Sequence, residues 1–268
     1  MTAFHVMAGS GAGLAHPDIR RIGVADVFDA LRLGWQDFNA KPSHYVFLCL
    51  IYPIAGVVLA TWSSGVNMLP LVYPLVSGFA LLGPVAAIGL YEISRRREIG
   101  MDTSWRHAFD VRRSPALASI LGLAFMLLVL FVVWLVVAQS LYTQLFGDMP
   151  AASLSALYHQ VIGTDQGWTL ILVGNAVGFV FAMIVLSTVV VSFPLLLERD
   201  VGAVAAIETS VRATLANPIP VAVWGLIVAT GLVIGSIPVF VGLAVIMPIF
   251  GHATWHLYRK MVVAPEGK

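Results

Sequence analysis

The sequence predicts an all-α polytopic membrane protein: six transmembrane helices in three hairpins, with amphipathic interfacial helices on the cytoplasmic side. Three observations predict it. Of the 268 residues, 59% are hydrophobic and 11% charged, whereas a soluble domain carries about a quarter charged residues. Six apolar runs approach the roughly 20 residues that a helix needs to cross a bilayer. All 15 Lys and Arg residues lie in four of the segments outside those runs. A water-soluble globule, a disordered chain and a nucleic-acid binder are excluded. Cys49 is the single cysteine, so there is no intrachain disulfide and no cysteine metal cluster.

Residues 1–19 read as a flexible tail. Their start lacks the charged residues and apolar core of a secretory signal, so the first span is expected to serve as an uncleaved insertion signal. Residues 20–262 form one membrane domain, and 263–268 a short C-terminal tail. The spans fall at about 45–62, 71–93, 116–140, 169–197, 219–236 and 239–257. The last two are separated only by Gly235, Ser236, Ile237 and Pro238, where proline interrupts a helix and glycine permits a turn. A β-barrel does not fit, because barrel strands alternate polar and apolar residues over about 10 positions.

Orientation follows from the cations. Arg20, Arg21, Arg32 and Lys41 precede the first span, and Arg95, Arg96, Arg97, Arg106, Arg112 and Arg113 separate the second from the third. Arg199 and Arg212 separate the fourth from the fifth, and Arg259, Lys260 and Lys268 follow the sixth. The opposite loops carry only Asp148 and Asp165. The positive-inside rule then places both termini in the cytoplasm, with Trp62 and Trp168 at the outer interface and Trp255 near the inner one. In the outer loop 141–168, Leu154, Leu157, Tyr158 and Val161 suggest a short interfacial helix.

The cytoplasmic crossings repeat a plan, with possible units at 24–98, 104–199 and 202–260. A short amphipathic segment precedes a proline, and an outward and a returning span follow. The first segment, 24–39 before Pro42, spaces Val24, Val27, Phe28, Leu31, Trp35 and Phe38 helically, with Asp26, Asp29, Arg32 and Asp37 on the other faces. The second, 104–113 before Pro115, sets Trp105, Ala108 and Phe109 on one side. The third, 202–217 before Pro218, aligns Val204, Ile207, Val211 and Leu215. Such helices are expected to lie in the headgroup plane, with apolar faces down and arginines near anionic lipid.

The runs YPLVSGFALLGPVAAIGLYEISRRRE (73–98), MPIFGHATWHLYRK (247–260) and RRIGVADVFDALRLGWQDF (20–38) resemble a bacterial family of integral membrane proteins catalogued as domain of unknown function 2189. The resemblance covers roughly 20–262 and implies six spans and an inner-membrane location. Some members are labelled cytochrome c oxidase subunits. The histidines here do not supply the set, deep in several helices, that haem and copper would need.

No catalytic constellation emerges, and the chain reads as a non-enzyme without a cofactor. His252 and His256 share a helix face, but Ala253 stands where a zincin-type site carries glutamate. Haem ligation would need a partner such as His44. Glu92 beside Arg95 and Arg96, and Glu198 beside Arg199, read as ion pairs at helix ends. The candidate polar cluster is therefore Glu92, Arg96, Glu198, His252 and His256 converging on the cytoplasmic side. Mid-depth carboxylates of the kind ion-coupled transporters use are absent from the spans. Gly174 with Gly178, and Gly231 with Gly235, permit close helix approach. The functional expectation is an accessory or assembly partner of a larger membrane complex, with a respiratory one the first candidate. Alternatives are a small channel or facilitator for an uncharged or lipid-like substrate, and a haem- or metal-binding protein.

Overall fold

The computed structural model describes residues 17–42, 45, 49–50, 54–58, 69–147, 151 and 153–264. The first predicted span, 45–62, and His44 and Trp62 therefore lie largely or wholly outside the described residues. Among the described residues there is no strand, only an isolated bridge between Ile19 and Val262.

In chain order the helices are α1 (Val24–Ala40), α2 (Val72–Phe79), α3 (Gly83–Ala86) and α4 (Ile88–Glu98), then a 3-10 helix at Trp105–Arg113. They continue with α5 (Leu117–Phe146), α6 (Leu154–Ile162), α7 (Asp165–Val189), α8 (Ser192–Glu198), α9 (Ala203–Ala216), α10 (Pro218–Ser236) and α11 (Leu243–Met261). Among the described residues four helical stretches are long and apolar enough to cross a membrane: Leu69–Glu98, Leu117–Phe146, Asp165–Glu198 and Pro218–Ser236. These match the second to fifth expected spans. The region of the sixth forms α11, whose residues are mostly buried and whose last turns carry His252, His256, Arg259 and Lys260. That polar half is why α11 falls outside the four. Its connection from α10 is a turn over 237–242 rather than the four residues expected, and Val239 and Phe240 adopt positive φ there.

The chain divides into two compact units. The first comprises Met1–Pro53, Pro84–Ala124 and Leu186–Lys268. Its centre is the contact of α1 with α11, where a Cβ on Gly34 would stand 2.6 Å from the Ala253 backbone nitrogen. Likewise Gly89 of α4 lets the 3-10 helix approach, its Cβ position lying 2.8 Å from the Ala108 methyl. Gly231 and Gly235 of α10 seat Phe250, Ile246 and Leu243 of α11, so this glycine pair serves packing within the chain. The N-terminal strand-like segment is fastened by Asn217: its Oδ1 accepts from Ile22 N at 2.7 Å, and its Nδ2 donates to Arg20 O at 3.0 Å.

The amphipathic segments turn small residues toward the protein and leave several large apolar ones outward. In α1 the buried positions are Val27, Ala30, Gly34, Asp37 and Phe38, while Phe28 and Trp35 are exposed. In α9 they are Ala205, Ala206, Thr209, Ser210 and Ala213, while Val204 and Leu215 point outward. In the 3-10 helix Ala108 is buried and Phe109 exposed. Small residues allow close backbone approach, which sustains more contact than bulky side chains held apart. The large apolar groups are thus left on the outer surface.

The second unit comprises Ile54–Gly83 and Phe125–Val185. Trp134 organises it: Nε1 donates to Pro74 O at 2.9 Å, and the indole lies 5.6 Å from the Phe181 ring. Gly78 and Gly178 make room for that indole, whereas Gly174 has nothing within 4 Å of its Cβ position. Tyr73 OH donates to Asn175 Oδ1 at 2.8 Å. The expected outer-loop helix forms as α6, its first turn capped by Ser153 Oγ accepting from Ala156 N at 3.1 Å.

Candidate functional site: a polar collar around α4

Helix α4 ends in ISRRRE, and each residue advances about 100° around the axis. Its polar side chains therefore fan out to three surroundings, all within the first unit. On one side, Glu92 accepts from Arg95 through two bonds, at 2.7 and 2.8 Å, and from Arg96 Nε at 2.8 Å. Arg96 reaches on to Asp110 of the 3-10 helix at 2.9 Å. Asp110 also meets His107, which holds Asp102 with its other ring nitrogen. Glu92, Arg95, Arg96 and Asp110 border a half-open cavity of about 420 Å³, together with Arg113 and Glu198.

On a second side lies a buried group centred on Asp37. Ser94 Oγ donates to Asp37 Oδ2 at 2.7 Å, His256 Nε2 lies 2.9 Å from the same oxygen, and Arg97 Nη1 is 3.3 Å from Oδ1. His252 Nδ1 sits 2.8 Å from Ser94 Oγ. Because the Ser94 hydroxyl has one proton and gives it to Asp37, His252 must donate from Nδ1. Its Nε2 is then a bare acceptor, buried and without a partner among the described residues, and the ring stands edge-on to Tyr45 at 4.7 Å. Burial acts to raise the Asp37 pKa, but the hydrogen bonds from His256 and Ser94 outweigh it and hold the carboxyl below its usual range.

The third surrounding joins α4 to α8 and α11. Glu98 accepts from Trp255 Nε1 and Arg259 Nε, both at 2.9 Å. Glu198 accepts from Tyr258 OH and, at 2.7 Å, from Arg259 Nη1. Nearer the start of α11's partner, Lys260 Nζ lies 2.7 Å from Asp29 Oδ2 of α1. Its hydrogen bond, with that of Arg32, lowers the Asp29 pKa to about 2.

Of the five residues expected to converge, Glu92 and Arg96 touch, and both border one cavity with Glu198. His252 and His256 belong instead to the Asp37 group. Among the described residues no set of three or more His, Cys, Asp or Glu is arranged to hold a metal ion. Sequence reasoning missed Asp37, Ser94 and Asp110. For Asp37 a signal existed: it continues the spacing of Val27, Ala30 and Gly34, a face marked by small residues rather than by hydrophobic ones.

Helices of this length and apolarity, with ionised groups confined to their ends and connections, define an integral membrane protein. Residues 72–198 match the family described as predicted integral membrane protein (DUF2189). No curated protein and no solved structure matches the chain.

Proposed function

We propose that the chain is a non-catalytic protein of the bacterial inner membrane, both termini cytoplasmic, acting as an accessory or assembly partner of a larger membrane complex. A respiratory complex is the first to examine. One observation carries the reading: the spans leave large apolar side chains uncovered, while Glu92, Asp37, Glu98 and Glu198 are engaged within the chain. Leu172, Phe179 and Leu226 are each about two-thirds exposed. Only 22% of the most apolar window is buried in the helices Leu117–Phe146 and Pro218–Ser236. This span surface is what the chain has left with which to act on neighbouring helices. Such contacts rest on van der Waals packing and interhelical hydrogen bonds. Purification of the tagged protein in mild detergent, followed by mass spectrometry, tests the proposal. A partner in fixed stoichiometry is expected; a lone monomer or homo-oligomer would contradict it.

A further inference from the structure

We propose that the cavity bordered by Glu92, Arg95, Arg96, Asp110, Arg113 and Glu198 binds the phosphate of a membrane phospholipid headgroup. The proposal rests on the membrane-spanning reading of the apolar helices and is independent of the accessory role. Depth is the first argument. Glu92, Arg95 and Arg96 lie in the last turns of Leu69–Glu98, Arg113 shortly before Leu117–Phe146 begins, and Glu198 at the end of Asp165–Glu198. Three apolar stretches thus give out around one opening, which is where headgroups meet water.

The balance of donors and acceptors is the second argument. The carboxylates are already occupied: Glu92 by Arg95 and Arg96, Asp110 by Arg96 and His107, Glu198 by Tyr258 and Arg259. The guanidiniums are not. Among the described residues Arg95 and Arg96 use Nε and Nη2, and Arg113 makes a 3.6 Å approach to Asp110 with its side chain 87% exposed. Arginine forks with free N–H groups match phosphate oxygens. An anion is therefore what the lining still lacks, although its formal charges cancel.

Size is the third. The cavity has a volume of about 420 Å³, many times the roughly 10–15 Å³ that one water requires. That exceeds a bare phosphate and suits a phosphodiester carrying glycerol.

Phosphatidylglycerol titrated into the delipidated protein in detergent, read by native mass spectrometry, tests the site. One lipid should remain bound, and Arg113→Ala should weaken it about tenfold, as loss of a charge-assisted hydrogen bond does. The exposure of Arg113 lets this variant fold, which an unchanged melting temperature verifies. Arg112→Ala, one residue away and outside the lining, should stay within about twofold of the parent. Three results would overturn the proposal: Arg113→Ala binding like the parent, Arg112→Ala losing as much as Arg113→Ala, or inorganic phosphate displacing the lipid at equal concentration.

Discussion

Replacing Asp37 with alanine removes the acceptor on which Ser94, His256 and Arg97 converge from two helices packed against α1. Asp37 is 6% exposed, so water does not replace its carboxylate, and His252 loses the group that orients its hydrogen-bond partner Ser94. Removing one member of a buried charged pair costs about 3–5 kcal/mol. Arg97 is partly exposed and regains water, which places the expected loss near the lower figure, about 3 kcal/mol. Reversible unfolding of the purified protein in detergent measures it. Hydrogen exchange should localise the loss to α1 and the facing part of α11. The double mutant with His256→Ala supplies the coupling, expected at about 1–2 kcal/mol for directly bonded residues. A stability change within about 0.5 kcal/mol, the range of an ordinary surface substitution, or strict additivity with His256→Ala, would refute the reasoning.

Three further outcomes follow from other contacts. Gly34→Ala drives a methyl into the Ala253 backbone, and should cost about 1–3 kcal/mol, as overpacking does; retention of the parent's melting temperature would count against the α1–α11 contact. Asn217→Ala leaves Ile22 N and Arg20 O without their partner, so residues 18–22 should become sensitive to protease while α9 persists, and unchanged cleavage would argue otherwise. His107 is held by Asp110 and then by Asp102, which raises its pKa, and it lowers theirs in turn. The histidine's contribution is complete below its ordinary value of about 6.5 and disappears as pH rises through the raised one. The carboxylates' share disappears as pH falls below about 3.9 through their lowered values. Protection of residues 105–113 from hydrogen exchange should therefore be greatest between these limits, and His107→Gln should flatten its alkaline side; a profile identical in both proteins would refute the assignment.

What the sequence disclosed was whatever depends on solvent alone. Apolar length located the stretches 69–98, 117–146, 165–198 and 218–236, because a bilayer selects length and hydrophobicity without reference to neighbours. Glu92 with Arg96 was equally legible, since four residues bring two side chains together on any helix. The inward face of α1 was not. Hydrophobicity singles out Phe28 and Trp35, but close packing singles out Ala30 and Gly34, and only the second faces the protein. Asp37 stood simply among the polar residues of the other faces for that reason. Asn217 looked like a helix terminus before Pro218; its partners Arg20 and Ile22 lie nearly 200 positions away, a separation that no local pattern reports.

That the protein acts through its uncovered span surface is tested most directly by a photo-crosslinking side chain at Leu226, exposed on α10, activated in intact membranes. One discrete heavier species containing a second protein is expected, at a yield that follows the abundance of that partner. Adducts with lipid alone, or only with other copies of this chain, would contradict it.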